Sequence, residues 1–114
     1  LFIAARESLA GDDYRQMVVD AAVDDLVLTK AFTGASAYYL RQSILRSGLD
    51  PDNLSGKTAM DWSKSDTQLK AWKDIWSAGQ GVDAVRAVEP VAAIVDRLAA
   101  EYAAAPAGVR VRPA

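Results

Sequence analysis

The most regular segment of the sequence lies near its C-terminus, where apolar side chains recur at the spacing of an α-helix. Alanine, the strongest helix former, fills most of the other positions of this segment. Pro90 is predicted at the first helical position, where its missing N–H is not needed, and Pro106 and Gly108 end the pattern. The spacing therefore predicts an amphipathic helix that ends near residue 105. Its apolar stripe consists of Val91, Ile94, Val95, Leu98 and Tyr102.

Shorter elements are predicted in the first quarter of the chain. Leu1–Ala5 is a short apolar run of β-compatible residues, which indicates a buried strand or the end of one, although its length alone does not separate a strand from the start of a helix. Apolar side chains at helical spacing predict a helix over residues 13–22, with Asp12 and Asp13 as candidate N-caps. Leu26–Thr29 is partly β-branched and is expected to be extended.

The middle of the chain is predicted to alternate between helix and loop. Apolar spacing predicts a helix over Tyr38–Ser47, ended by Gly48 in the left-handed conformation. Residues 50–65 are rich in small polar residues and predict a long loop or a loosely helical excursion. Leu69, Trp72 and Trp76 are spaced as on a short amphipathic helix. The chain is therefore predicted to be mainly helical, with one or two short strands.

The sequence contains neither cysteine nor histidine, which removes several kinds of chemistry. Without cysteine there is no disulfide, thiol nucleophile or Cys-ligated zinc. Without histidine the commonest general base and the commonest metal ligand are missing, so no metal site is predicted. The 13 basic and 15 acidic residues are interleaved, with a net charge of −2, and no nucleic-acid partner is expected. No apolar run reaches about 18 residues, so no membrane span is predicted.

The acidic pairs and most of the aromatic residues are interpreted as structural. Three pairs of aspartates lack the ligand spacing of a calcium loop, so helix caps and solvated turns explain them. Trp72 and Trp76 are expected in the core, whereas Trp62 fits the core and a ligand pocket equally well. Tyr38 and Tyr39 are assigned to packing rather than to a catalytic phenol, because no histidine or metal ligand is near. The aspartate pairs are Asp12 with Asp13, Asp24 with Asp25, and Asp50 with Asp52.

The segment from Ser77 to Gly81 is the strongest candidate for a ligand site. Gly79 and Gly81 flank Gln80, and glycine allows the backbone to approach a ligand closely. Exposed N–H groups in such a turn can hold an anion, while the side chains of Ser77 and Gln80 add hydrogen bonds. A plain turn between two helices explains the same spacing.

Four segments of the chain resemble the C-terminal third of the nitronate monooxygenases, formerly called 2-nitropropane dioxygenases. They are Leu1–Ser8, Tyr14–Gln16, Thr29–Gly34 and Ala71–Gly81. The resemblance implies an α/β fold, namely the C-terminal part of a TIM barrel that binds FMN at the C-terminal ends of its strands. It also implies that Ser77, Gly79 and Gln80 are cofactor-binding neighbours of the flavin.

The resemblance divides the chain into four parts. Residues 1–25 would be the last barrel strand and the helix after it, and residues 26–82 an inserted helical subdomain. Residues 83–105 would carry the C-terminal helix, and 106–114 a tail. The chain opens within an apolar run and without Met, so it is expected to belong to a longer polypeptide whose upstream part completes the barrel.

The reaction implied by the resemblance is the oxidation of an alkyl nitronate by oxygen to a carbonyl compound and nitrite, with FMN as the cofactor. The family's active-site histidine lies upstream, so this chain alone is expected to have no catalytic residue and to bind FMN weakly. A cytoplasmic location is expected. Two alternatives remain, a flavin-dependent enoyl reductase of fatty-acid synthesis and a non-catalytic helical interaction module.

Overall fold

The fold is mixed α/β, with three α-helices and one two-stranded antiparallel sheet in the part of the chain that the structure describes. The structure is a computed structural model, and it describes residues 1–54 and 73–106. The helices are α1 (Asp12–Asp20), α2 (Arg41–Arg46) and α3 (Val91–Ala104). The strands are β1 (Leu26–Thr29) and β2 (Ala37–Leu40). Three 3-10 turns cover Phe2–Ala4, Val23–Asp25 and Gln80–Ala84.

The predicted strand at the N-terminus is wrong over Phe2–Ala4, which form a 3-10 turn. Only Ala5 pairs as a strand would, in a single parallel bridge with Glu89. The N–H of Arg6 donates to the carbonyl oxygen of Glu89 at 2.8 Å. Hydrophobicity buries Ala4 and Ala5 in either conformation, so the apolar run did not distinguish between a strand and a turn.

Helix α1 confirms the helix predicted over residues 13–22, with a different cap. Its N-cap is Gly11, and Asp12 and Asp13 lie in the first turn, where their charges favour the positive end of the helix dipole. Asp12 also accepts a hydrogen bond from Arg15 at 2.6 Å. The aspartates therefore stabilise the first turn from inside the helix and do not cap it.

The helix predicted over Tyr38–Ser47 begins only at Arg41, because the residues before it belong to β2. In the sheet, Leu26 lies opposite Leu40, and Thr29 lies opposite Ala37. The extended conformation expected for Leu26–Thr29 is confirmed, and pairing with this strand overrides the helical spacing of the next apolar segment.

Two glycines take the positive φ that their turns require. Gly34, in the connection between the strands, has φ 80°, and Gly48, after α2, has φ 81°. The prediction that Gly48 ends this helix in the left-handed conformation is confirmed. Residues 50–54 contain no helix or strand, whereas the remainder of the predicted 50–65 loop, Trp62, Leu69 and Trp72 lie outside the described residues.

Two hydrophobic clusters form on opposite faces of the small sheet. The first joins Leu40 of β2 to Val18 of α1 and to the segment after residue 77. The second lies around Tyr39, whose ring meets that of Phe32 edge-on, with centroids 4.9 Å apart. The alternation of Tyr39 and Leu40 between the two faces follows from the pleat of a strand. The buried residues of the first cluster are Ala4, Val18, Leu40, Ala78, Val82 and Val85, and those of the second are Tyr39, Ile44, Leu54 and Ile75.

Helix α3 confirms the predicted C-terminal helix and is tied to the N-terminal segment by polar contacts. Pro90 occupies the N-cap, one position before the predicted one. The N–H of Val91 donates to the carboxylate of Glu7 at 2.9 Å. Arg97 donates to both carboxylate oxygens of Glu89, at 2.8 and 2.6 Å, and this hydrogen bonding raises the pKa of the Arg97 guanidinium above its ordinary value. These contacts fix where the helix begins.

Most of the apolar stripe of α3 is exposed in the described part of the chain. Ile94 is buried, with 2% of its surface accessible. By contrast, Val95, Leu98 and Tyr102 are 49%, 37% and 69% exposed. We call these three residues the α3 seam. No helix of the described residues is long and apolar enough to cross a membrane.

Candidate functional site

The Ser77–Gly81 segment lies along the edge of β2 that faces away from β1. Ser77 forms an antiparallel bridge with Tyr39, and the N–H of Leu40 donates to the carbonyl oxygen of Trp76 at 2.8 Å. The segment therefore extends the sheet by one bridge before it turns into the 3-10 segment Gln80–Ala84. Backbone pairing on an existing strand fixes the position of a loop that its own sequence leaves open.

Ser43, at the start of α2, is the main polar anchor of this segment. Its side chain is fully buried, with 0% exposure. The hydroxyl oxygen accepts a hydrogen bond from the N–H of Trp76 at 3.0 Å, and the hydroxyl donates to the carbonyl oxygen of Leu40 at 2.8 Å. One hydroxyl thus connects α2, β2 and the segment that leads into Ser77. The same hydrogen bonds satisfy the hydroxyl itself, as a buried polar group requires.

The indole of Trp76, just before this segment, contacts side chains of α1 and α2. It stacks on the ring of Tyr14 from α1, with centroids 4.8 Å apart and planes 5° from parallel. The hydroxyl of Tyr14 donates to the carbonyl oxygen of Ser77. The guanidinium of Arg46 lies 4.1 Å from the centre of the indole ring, within the range of a cation–π contact. Trp76, which was predicted in the core, is half-buried and packs against the first hydrophobic cluster.

The three predicted flavin neighbours all lie at the surface. Ser77, Gly79 and Gln80 are exposed, whereas Ala78 between them is buried at 8% exposure. A Cβ added to Gly79 or to Gly81 would meet no atom within 4 Å. The backbone there is therefore open to the close approach of another molecule.

The polar groups of the segment are only partly used within the part of the chain that is described. The carbonyl oxygen of Gly79 accepts from the N–H of Val82 at 3.1 Å. Among the described residues, no hydrogen bond involves the N–H of Gly79, Gln80 or Gly81. Unpaired amides on an exposed loop are free to bind water or a ligand.

Tyr38, which the sequence pattern assigned to packing, also contacts the Ser77–Gly81 segment. Its hydroxyl accepts a hydrogen bond from Nε2 of Gln80 at 3.0 Å, and its ring is half-buried. For Tyr39 the packing assignment is confirmed, because that ring is buried in the second cluster. Recognising the strand would have separated the two residues, since neighbours on a strand face opposite sides.

Two open depressions lie near α1, and neither contains the predicted flavin neighbours. One, of about 590 Å³, lies between α1 and α2 and includes Met17, Leu40 and Arg41. The other, of about 660 Å³, lies beside Trp76 and Arg46. The Ser77–Gly81 segment is thus an exposed surface and lines neither depression.

Among residues 1–54 and 73–106, no group of three or more carboxylates is placed to hold a metal ion. Comparison of the chain with protein-family models, with curated proteins and with solved structures found no match. The resemblance to nitronate monooxygenases therefore rests on the four sequence segments alone.

Proposed function

We propose that this chain is the C-terminal part of an FMN-dependent oxidoreductase of the nitronate monooxygenase type. The reaction is the oxidation of an alkyl nitronate by oxygen to a carbonyl compound and nitrite, in the cytoplasm. The observation that carries the proposal is the Ser77–Gly81 segment, which hydrogen bonds from Ser43 and Tyr14 hold in place and in which Ser77, Gly79 and Gln80 are exposed. Function-bearing loops are commonly exposed segments on a rigid support.

The exposed groups of this segment suit a flavin neighbour. The hydroxyl of Ser77 and the amide of Gln80 provide neutral hydrogen-bonding groups, and the open backbone at Gly79 admits an aromatic ring edge. Because Ser43 and Tyr14 already hold the segment in place, little conformational entropy is lost when a ligand binds. FMN, when bound, would accept electrons from the nitronate, and the residues of this chain would bind and orient it.

The general base of the proposed reaction lies outside this chain. The sequence contains no histidine, and the resemblance places the active-site histidine upstream. The α3 seam supports an upstream partner, because exposed apolar side chains at helical spacing are typical of a face that packs on another element. In the proposal this partner is the rest of the TIM barrel.

The α3 seam also supports the second candidate, a helical interaction module without a cofactor. The two candidates differ in the behaviour of the Ser77–Gly81 segment, which has no role in the module. A flavin-dependent enoyl reductase remains a third candidate, which requires a nicotinamide site upstream. Reduction of the bound flavin by a nicotinamide, without nitrite release, would favour that enzyme.

The test is flavin retention by the full-length polypeptide and by its Gln80→Ala variant. We expect the wild-type protein to retain FMN and to release nitrite when an alkyl nitronate is added in air. Loss of one or two hydrogen bonds in Gln80→Ala is expected to weaken FMN binding about three- to tenfold. Gln42→Ala is the matched control, because Gln42 is an exposed glutamine on α2, and it should bind FMN as the wild type does. A colourless full-length protein would refute the proposal.

A further inference from the structure

The side chains of Tyr38 and Gln80 meet at the exposed surface of the Ser77–Gly81 segment. Nε2 of Gln80 donates to the hydroxyl oxygen of Tyr38 at 3.0 Å. Because the Tyr38 hydroxyl acts as an acceptor in this bond, its own proton remains available for donation. Among the hydrogen bonds of residues 1–54 and 73–106, none uses Oε1 of Gln80. The pair therefore presents one free acceptor, Oε1 of Gln80, together with two free donors, the Tyr38 hydroxyl and the second hydrogen of Nε2.

A donor beside an acceptor is complementary to an imide or amide edge, where an N–H adjoins a carbonyl oxygen. Glutamine and asparagine read nucleobase edges by this kind of two-point contact. The isoalloxazine ring of a flavin ends in a pyrimidine whose N3–H lies between two carbonyl groups. Oε1 of Gln80 would accept from N3–H, and the Tyr38 hydroxyl would donate to a neighbouring carbonyl.

The phosphate end of FMN is a poorer match to the same pair. Neither side chain carries a positive charge, whereas phosphate recognition relies on Arg, Lys or converging amides. In the described residues no ion pair or hydrogen bond joins an Arg or Lys side chain to Ser77, Gly79 or Gln80. The chemistry of the pair thus favours the neutral ring over the charged end.

We infer that Tyr38 and Gln80 together recognise the N3–H edge of the flavin pyrimidine, an inference that rests on the proposed FMN-dependent function. Tyr38 has two roles in this arrangement. It orients the Gln80 amide through their shared hydrogen bond, and it donates the second contact to the ring. Recognition of N3–H makes the site selective for the unmodified flavin ring.

The experiment compares two flavins that differ at one atom. FMN and N3-methyl-FMN are titrated into the flavin-free full-length protein, and their dissociation constants are measured by flavin fluorescence. The methyl group removes the N3–H donor and leaves the phosphate unchanged. We expect N3-methyl-FMN to bind about tenfold more weakly than FMN to the wild type, because one hydrogen bond is lost and an acceptor is left unpaired.

Two variants and one control locate the effect. In Gln80→Leu the ratio of the two dissociation constants should fall to near one. In Tyr38→Phe the affinity for FMN should fall about three- to tenfold, while some preference for FMN over N3-methyl-FMN remains. Gln42→Leu removes an exposed glutamine on α2 and should keep the wild-type ratio. These ratios do not depend on turnover, so a purely structural effect on activity would not reproduce them.

The possible outcomes distinguish a failure of the proposed function from a failure of this inference alone. A wild-type protein that binds neither flavin overturns the proposed function and this inference with it. A wild-type protein that binds both flavins equally, or a Gln80→Leu variant with an unchanged ratio, overturns the inference alone. A change in the preference for FMN over riboflavin in the Gln80→Leu variant would place the pair at the phosphate and would also overturn the inference.

Discussion

Replacing Ser43 by alanine tests whether one buried hydroxyl fixes the Ser77–Gly81 segment. The change removes the acceptor of the Trp76 N–H at 3.0 Å and the donor to the Leu40 carbonyl at 2.8 Å. Because Ser43 has no exposed surface, water has no ready access to replace the hydroxyl. The carbonyl of Leu40 keeps its place as the N-cap acceptor of α2, whereas the N–H of Trp76 loses its partner.

The expected cost follows from these two losses. A hydrogen bond contributes about 1 kcal/mol net, and a buried donor left without a partner costs about 1–3 kcal/mol. We therefore expect Ser43→Ala to lower the free energy of unfolding by about 2–3 kcal/mol, a large share of the stability of a small domain. With a urea m-value of about 2 kcal/mol per molar, the unfolding midpoint falls by roughly 1 M.

Urea unfolding followed by tryptophan fluorescence measures the change, since Trp76 stacks on Tyr14 in the folded chain. Ser47→Ala is the matched control. Its hydroxyl makes one hydrogen bond, to the carbonyl oxygen of Ser43 at 2.9 Å, and its loss should cost about 0.5–1 kcal/mol. A Ser43→Ala variant no less stable than Ser47→Ala would refute the assignment of Ser43 as the anchor.

Three further predictions concern other parts of the fold. Tyr14→Phe keeps the ring stack but loses the hydroxyl contact to the loop, so urea unfolding should show a loss of about 1 kcal/mol; an unchanged midpoint would contradict that contact. Gly48→Ala, at φ 81°, should cost about 1–2 kcal/mol, whereas Gly81→Ala, without a positive φ and with open space around its Cβ, should have little effect in the same assay. Ile94→Ala should cost about 2–4 kcal/mol in any form of the protein. Tyr102→Ala, in the α3 seam and 69% exposed, should change the stability of the 114-residue chain by less than about 0.5 kcal/mol and destabilise the full-length protein by more, as measured by thermal unfolding of both; equal effects would argue against a partner on the seam.

The helices with clear sequence signals were predictable, and the local pairing was not. α1 and α3 each carry one apolar stripe, and both were predicted with ends close to the observed ones. Tyr38–Leu40 have helical apolar spacing but lie in β2, because residues 26–29 offer a partner strand. The spacing of apolar residues is a local property of one segment. Whether that segment forms a strand depends also on a partner segment elsewhere in the chain.

The sequence indicated which segment is the candidate site, but not which side chains lie around it. The glycines around Gln80 indicated a loop, and Ser77, Gly79 and Gln80 are exposed, whereas a ligand at these residues stays a prediction. The contribution of Tyr38 was missed because it depends on the position of β2 beside the loop. Ser43 gave no signal either, since a serine within an amphipathic segment usually faces solvent.

The most direct test of the central claim is nitrite release by the flavin-loaded full-length protein. An alkyl nitronate is added in air, nitrite is measured over time, and free FMN at the same concentration serves as the blank. If the proposed function is correct, we expect the protein to retain FMN and to form nitrite well above the blank. A protein that carries no flavin, or one that carries FMN and forms nitrite no faster than the blank, would contradict it.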